Sequence, residues 1–152
     1  MDKPWRLIQD IDVTEELGSL NITVDADGQP FEVDDIYIEM TNILGKNGSN
    51  LGIIPREDHL RPTTYVGGVV LANPISSTTK RHFFITFTRY KGLNKYKIEA
   101  VGKNATAYNN TYTHILPSNS VVISDSYKIR EIQIYFSTGN YITEGNIKVY
   151  GR

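Results

Sequence analysis

The stretch LNITVDADGQPFEVDDIYIEM (residues 20–40) carries the clearest fold signal in the chain. Its first part alternates apolar and polar side chains, with Leu20, Ile22 and Val24 on one side. That alternation is the period-two pattern of a strand with one buried face. Residues 25–30 (DADGQP) follow as a turn signal, because Asp and Gly favour tight turns and proline ends a strand. The stretch therefore predicts a central β-hairpin.

The second half of this stretch changes phase. Phe31 and Val33 alternate with polar residues, but the apolar series that starts again at Ile36 is displaced by one position. A strand can keep one face buried through such a slip if it contains one extra residue. A β-bulge is therefore predicted at the Asp34-Asp35 pair.

Composition limits the class of protein. The chain has 152 residues, 39% of them hydrophobic, and no cysteine. One domain spanning 1–152 is predicted, large enough to bury a core without disulfides or metals. The net charge of −1 argues against nucleic acid as a partner. The absence of a long apolar run predicts no membrane insertion, and the polar N-terminus predicts no secretory signal.

Strand patterns recur along the rest of the chain. In the strand predicted at 81–90, Phe83, Ile85 and Phe87 face inward. In the first strand, predicted at 5–11, Trp5 and Leu7 face inward, and Ile11 is left open as a third inward residue. Further strands are predicted at 65–72, 95–101, 112–116, 121–124, 128–137 and 145–152. Residue types that begin and end a helix occur only around 12–18, where one helical turn is predicted. Residues 41–64 are predicted to be a long connection, with a short strand as the alternative.

About eight or nine short strands separated by turns predict an all-β protein with less than roughly a tenth helix. An antiparallel β-sandwich is the expected architecture. The jelly roll is the preferred form of it, because that arrangement accommodates this strand count with long crossing loops.

No cluster of residues in the sequence predicts catalysis or metal binding. Asp25-Ala-Asp27-Gly28 resembles the opening of a calcium loop, but Ile36 stands where the loop would need glutamate. The three histidines lie far apart, and no serine elbow or phosphate loop is present. Adjacent strand residues point to opposite faces, so Asp34 and Asp35 could share a substrate only through the predicted bulge, and a catalytic role for the pair is disfavoured. The sequence predicts no enzyme, no catalytic or metal-binding residue, and no cofactor.

The one compositional excess is tyrosine, with ten residues against five Phe and one Trp. Tyrosine combines an apolar ring with a hydroxyl, which suits both sugar stacking and wet protein interfaces. The alternative is that strands simply favour Tyr. Near predicted loops, Tyr141 is one candidate contact residue, and a group along the second half of the chain supplies the others: Tyr90, Tyr108, Asn109, Asn110 and Tyr112.

Three segments together carry a family resemblance: Trp5 at the start of the first strand, the hairpin at 22–31, and GNIKVYGR at 145–152. With them, nearly the whole chain resembles the C-terminal β-sandwich domain of tail-fibre, baseplate and receptor-binding proteins of tailed bacteriophages and prophages, especially those of Gram-positive hosts. The resemblance implies a non-enzymatic protein on the virion exterior, often a homotrimer, that contacts other virion proteins. Many domains of this family bind host-surface carbohydrate. It implies no particular binding residue.

Two other functions remain open at this point. A capsid decoration or head-fibre protein would have a purely structural role in the same virion. A polysaccharide-degrading enzyme would instead need clustered carboxylates in a groove.

Overall fold

A computed structural model of the chain describes residues 3–46, 51–56, 69–71, 75–90, 95–104, 109–116, 128–136 and 139–152. Within these ranges the chain forms ten β-strands and no helix. The strands are β1 (Arg6–Val13), β2 (Ser19–Ile22), β3 (Ile36–Gly45), β4 (Leu51–Arg56), β5 (Val69–Leu71), β6 (Arg81–Tyr90), β7 (Lys95–Asn104), β8 (Asn109–Leu116), β9 (Glu131–Phe136) and β10 (Ile142–Gly151).

The strands build two antiparallel sheets. The first sheet has six strands in the order β1-β10-β3-β6-β7-β8, and the second has four in the order β2-β9-β4-β5. The predicted all-β class and antiparallel β-sandwich are confirmed. The jelly roll stays a prediction.

The core lies between the two sheets and follows from strand alternation. In β6, Phe83, Ile85 and Phe87 are fully buried, which confirms the predicted inward face. The second sheet contributes Ile132 and Ile134 of β9 to the same core cluster. At every second position these strands therefore bury an apolar side chain, as a sheet with one covered face requires.

The central stretch folds differently from the predicted hairpin. β2 pairs with β9 in the second sheet, whereas β3 pairs with β10 and β6 in the first. Between them, a single β-bridge joins Val24 to Pro30. The hairpin prediction is wrong because alternation reveals a buried face but not the strand that pairs with it. Residues 20–40 instead carry the chain from one sheet to the other.

The turn inside this stretch is present. Gly28 has a positive φ of 77°, and the Asp25 carboxylate accepts backbone hydrogen bonds from Asp27 and Gln29 at 2.9 and 3.0 Å. These bonds, above all the one from Gln29, lower the pKa of Asp25 against the opposing effect of its burial. The turn chemistry read from the sequence therefore fixes the local conformation, although not the strand pairing.

The phase change at Asp34-Asp35 is real but lies outside a strand. Phe31 and Val33 are buried, as is Ile36, so both apolar series reach the core. β3 begins only at Ile36, and the two Asp backbone N–H groups both donate to the carbonyl of Arg152, at 2.8 and 3.1 Å. The extra residue therefore precedes β3 and does not interrupt a continuous strand.

The first strand also departs from the prediction. Trp5 and Leu7 are 37% and 43% exposed, while Ile8 is fully buried. The pairing of β1 with β10 shifts between Leu7 and Gln9, so Ile8 is a bulged residue. A bulge places the side chains before it on the opposite face from the one that regular alternation would give relative to the side chains after it. The inward face predicted at Trp5 and Leu7 is therefore wrong.

The helical turn predicted at 12–18 is wrong as well. β1 continues to Val13, and Leu17 then forms a β-bridge with Ile142 through two backbone hydrogen bonds of 2.9 and 3.1 Å. A single helical turn is unstable by itself, so the bonds available along β10 decide the conformation.

Residues 41–64 are not one long connection. β3 runs on to Gly45, and β4 begins at Leu51. The sequence pattern hides this continuation because the pairing with β6 shifts between Met40 and Ile43, where Asn42 adopts a positive φ of 55°. The predicted strand at 121–124 lies outside the described residues.

Candidate functional site

The predicted contact residues do not form one group. Tyr90 is the last residue of β6, and Asn109, Asn110 and Tyr112 lie in β8; Tyr108 is outside the described residues. Across β7, Asn110 is level with Phe83 of β6. At about 3.3 Å per residue, Tyr90 therefore lies roughly 23 Å further along the strands. The backbone brings the three β8 residues together and separates them from Tyr90.

A cleft lies where β3 ends and β10 begins. Its volume is about 580 Å³, within the size range of small-ligand sites. Seven residues from three segments of the chain line it: Leu44, Gly45, Lys46, Ser77, Tyr141, Thr143 and Glu144. Tyr141 is the one lining residue that the sequence predicted as a contact.

Irregular strand pairing shapes this cleft. The pairing of β10 with β3 shifts on both sides of Glu144, and Gly145 has a positive φ of 137°. β-Bulges are common beside binding sites because they redirect side chains. Here the irregularity lets two successive residues, Thr143 and Glu144, line the same cleft, which a regular strand would point to opposite sides.

Backbone bonds hold the cleft walls together. The backbone N–H of Lys46 donates to the backbone carbonyl of Tyr141 at 2.9 Å, and the backbone N–H of Gly45 donates to the backbone carbonyl of Ser76 at 3.0 Å. The Lys46 ammonium reaches the carbonyl of Gly139 at 3.2 Å. The backbone of Tyr141 is therefore fixed to the end of β3, so the position of Tyr141 depends on the β3–β10 pairing.

The lining side chains combine complementary chemistries. Glu144 is well solvated and lies 3.9 Å from Lys80, an exposed pair that contributes little to stability. Its carboxylate can accept hydrogen bonds, Lys46 can donate them, and the hydroxyls of Ser77 and Thr143 can do both. With the Tyr141 ring, this set suits a ligand that carries many hydroxyl groups on an apolar ring.

A smaller pocket lies on the second sheet. Its volume is about 270 Å³, and all of its lining side chains are polar: Asn21, Thr23, Arg56, Glu131 and Gln133. Arg56 donates to Gln133 at 2.9 Å. This pocket is below the usual size of ligand sites and offers no aromatic ring, so the cleft beside Tyr141 is the better candidate.

The adjacent carboxylates Asp34 and Asp35 have different main partners but share Arg89, whose guanidinium lies 3.4 Å from Asp34. Asp34 bonds Lys128 at 2.8 Å, and Asp35 bonds Arg152 at 3.0 Å and the backbone N–H of Arg89 at 2.8 Å. Both carboxylates thus fix the segment before β3 to neighbouring chain. Among the described residues, no group of three or more His, Cys, Asp or Glu side chains is placed to hold a metal ion.

The Asp34 ion pair gives a pH-dependent prediction. Burial raises the pKa of Asp34, but the Lys128 hydrogen bond and the charges of Lys128 and Arg89 outweigh it, so the net shift is downward. A lowered pKa contributes stability above the unfolded-state value, about 3.9 for Asp, and loses it as the pH falls through the folded value.

Asp34→Asn is therefore expected to be less stable than the unaltered protein at pH 7, with the difference shrinking below about pH 4. Urea unfolding at a series of pH values measures this. Asp27→Asn, at an exposed turn position, is the control and should show no such convergence. A deficit at Asp34 that is constant down to low pH would contradict the ion-pair explanation.

Aromatic side chains cluster at the other end of β3. The Trp5 and Tyr37 ring centroids lie 6.0 Å apart, and those of Tyr37 and Tyr150 lie 5.8 Å apart with nearly parallel planes. The Arg152 guanidinium carbon lies 4.3 Å from the centroid of the Trp5 ring. We call these four residues the aromatic rim. Burial and then the hydrogen bond to Glu39 raise the pKa of Tyr37 to about 12.

The fold defines the class of protein as a two-sheet antiparallel β-sandwich. No protein-family model matches the chain, and no curated protein matches its sequence. In the described ranges, no helix has the length and hydrophobicity needed to cross a bilayer.

Proposed function

We propose that this chain is a non-catalytic, outward-facing domain of a bacteriophage virion that binds host-surface carbohydrate in the cleft beside Tyr141. The observation that carries the binding proposal is the cleft of about 580 Å³. Its virion setting, in a tail fibre or baseplate with other virion proteins as partners, and its homotrimeric state are supported by the sequence resemblance alone. The jelly-roll form of the sandwich belongs to the same proposal.

Carbohydrate is the ligand class because a sugar has both kinds of surface that the cleft offers. The axial C–H faces of a pyranose pack on an aromatic ring, and Tyr141 supplies one. The equatorial hydroxyls need donors and acceptors together, which Lys46 and Glu144 provide. A purely apolar ligand would displace water from these charged groups without replacing its hydrogen bonds, at a cost in affinity.

The lining of the cleft favours binding without cleavage. Glycoside hydrolases use two carboxyl groups, about 5 to 9.5 Å apart, on either side of the bond they break. Among the described residues that line this cleft, Glu144 is the one carboxylate. A polysaccharide-degrading enzyme is therefore the weaker proposal.

Tyr141→Ala tests the binding proposal. A glycan array identifies the probe, and titration calorimetry then compares the unaltered and altered proteins with that glycan. Loss of ring stacking should weaken binding by about tenfold or more, equivalent to about 1.4 kcal/mol. Glu144→Gln, which keeps the shape but removes the charge, should weaken it less. Tyr150→Ala, a partly exposed tyrosine of the aromatic rim, is the matched control and should bind normally.

Two results would count against the proposal. Equal glycan affinity of Tyr141→Ala and the unaltered protein would remove the cleft as the binding site. Antibody labelling in electron microscopy locates the domain in the particle: labels at the tail tip support receptor binding, whereas labels across the capsid lattice favour a decoration protein.

A further inference from the structure

The aromatic rim lies at the opposite end of the sandwich from the cleft. β3 begins at Ile36, beside the rim, and ends at Gly45, in the cleft wall. Ten strand residues span about 30 Å. A ligand in the cleft therefore cannot touch the rim, and the two surfaces can bind different partners at once.

Arg152 is held in one orientation at the rim. Its Nε donates to the Asp35 carboxylate at 3.0 Å, and its guanidinium carbon lies over the Trp5 ring. The side chain remains 21% exposed. The hydrogen bond and the cation–π contact together restrain the guanidinium, so less side-chain entropy remains to be lost when a ligand binds.

The outer edge of this guanidinium carries no hydrogen bond to the part of the chain that the structure describes. Among the described residues, none accepts a hydrogen bond from Nη1 or Nη2 of Arg152; its side-chain bond runs from Nε to Asp35. Two parallel N–H groups on a planar fork match the two oxygens of a carboxylate. The arrangement is therefore preorganised for a bidentate contact with an anion.

The surrounding charges are nearly balanced, with a small positive excess. The cations that act at this end are Lys3, Arg6, Arg89, Lys128 and Arg152, and the carboxylates are Asp25, Asp34, Asp35 and Glu39. In a chain of net charge −1, this end therefore attracts a single anionic group more than an extended polyanion.

The rim is not built for sugar stacking. Tyr37 and Tyr150 stack on one another with an interplanar angle of 24°, and Arg152 covers one face of Trp5. Tyr37 and Tyr150 therefore each cover one ring face of the other, and these two faces are closed to a sugar. Trp, Tyr and Arg are instead the residues most enriched among energetic hot spots of protein interfaces.

We propose that Arg152 and Trp5 form a docking site for a carboxylate side chain of a partner protein, at the end of the sandwich opposite the cleft. The site rests on its own geometry and does not depend on carbohydrate binding. If the cleft binds a host glycan, docking at the rim leaves that cleft pointing away from the partner.

Trp5 supplies the readout because it is the one tryptophan in the chain. The probe is a blocked Leu-Glu-Leu peptide, with the corresponding Leu-Gln-Leu peptide as the uncharged control and inorganic phosphate as a second anion. We expect saturable changes in Trp5 fluorescence and in the NMR signal of its indole N–H with the glutamate peptide. The glutamine peptide should bind at least about tenfold more weakly, as expected for losing charge-assisted bonds.

Two variants test the role of Arg152. Arg152→Gln should abolish saturation, and Arg152→Lys, which keeps the charge but loses the fork, should weaken binding by about tenfold. Lys80→Gln removes a cation of the exposed pair with Glu144 and should leave the titration unchanged. Circular dichroism confirms that each variant is folded.

Three outcomes would overturn the proposal. A glutamate peptide that gives no saturable change removes the site. Equal binding by Arg152→Gln removes Arg152 from it. Saturation with phosphate but not with the glutamate peptide removes the carboxylate partner. Loss of glycan binding in Tyr141→Ala, by contrast, bears on the cleft and not on the rim.

Discussion

Ile85→Asp is expected to prevent the domain from folding. Ile85 is fully buried at the middle of β6, between Phe83 and Phe87 on the core face. An aspartate there would place a carboxylate among apolar side chains, at a cost above about 4 kcal/mol. Because a domain of this size is stabilised by only about 5 to 15 kcal/mol, little folded protein should remain. Circular dichroism and urea unfolding measure the loss.

Thr86→Asp is the matched control on the next residue. Thr86 belongs to the outer face of β6 and is partly exposed, so the new carboxylate stays in contact with water. It lies opposite Glu99 of β7, and this like-charge pair should cost no more than about 1 kcal/mol. Equal loss of stability in the two variants would show that the assignment of faces in β6 is wrong.

The strands that were predicted well are those whose alternation is unbroken. β6 has the bounds predicted for it, and β9 lies within the strand predicted at 128–137, with its alternate residues Ile132, Ile134 and Phe136 buried. In such strands the burial of each residue depends on a local period of two, which sequence alone contains. The buried faces of these strands could therefore be predicted without knowing which strands they pair with.

The predictions failed where an irregularity or a distant partner decides the structure. One bulged residue, Ile8, reverses the faces of β1, and the positive φ of Asn42 hides the continuation of β3. The pairing of β2 with β9 joins segments far apart in sequence. Alternation does not encode these features, because they arise from competition between strands for hydrogen bonds across the whole sandwich.

The candidate site was predictable in kind but not in place. The tyrosine excess indicated aromatic contact residues, and Tyr141 was among those named, but its neighbours Lys46 and Ser77 carry no signal of their own. They approach Tyr141 only through the register of β3 with β10 and the loop before β6. In the same way, nothing in the sequence places Arg152 over Trp5.

That register gives the second large prediction, at Gly45. A Cβ added there would lie 2.5 Å from the carbonyl oxygen of Tyr141, 2.8 Å from the Cα of Ile142 and 2.9 Å from a methyl carbon of Ile75. Two of these atoms belong to the backbone at the start of β10, which cannot move aside as a flexible side chain would. β3 and β10 would have to separate at the floor of the cleft.

Gly45→Ala is therefore expected to destabilise the domain by about 3 kcal/mol, the upper end of the usual cost of overpacking. It should also weaken glycan binding, because the Lys46 to Tyr141 backbone bond joins the same two strands. Urea unfolding and calorimetry with the glycan used for Tyr141→Ala measure the two effects.

Substitutions at two other glycines serve as controls for Gly45→Ala, because one tests a site without steric overlap and the other tests backbone strain alone. At Gly18 the nearest atom to an added Cβ is the Asn140 oxygen at 3.6 Å, an ordinary contact, so Gly18→Ala should change stability by less than about 0.5 kcal/mol. Gly28 has open space but a positive φ of 77°, and Gly28→Ala should cost about 1 kcal/mol. If Gly45→Ala were no worse than Gly28→Ala, the close approach of β3 and β10 at the cleft would be refuted, and the position of Tyr141 could not be attributed to the pairing of these two strands.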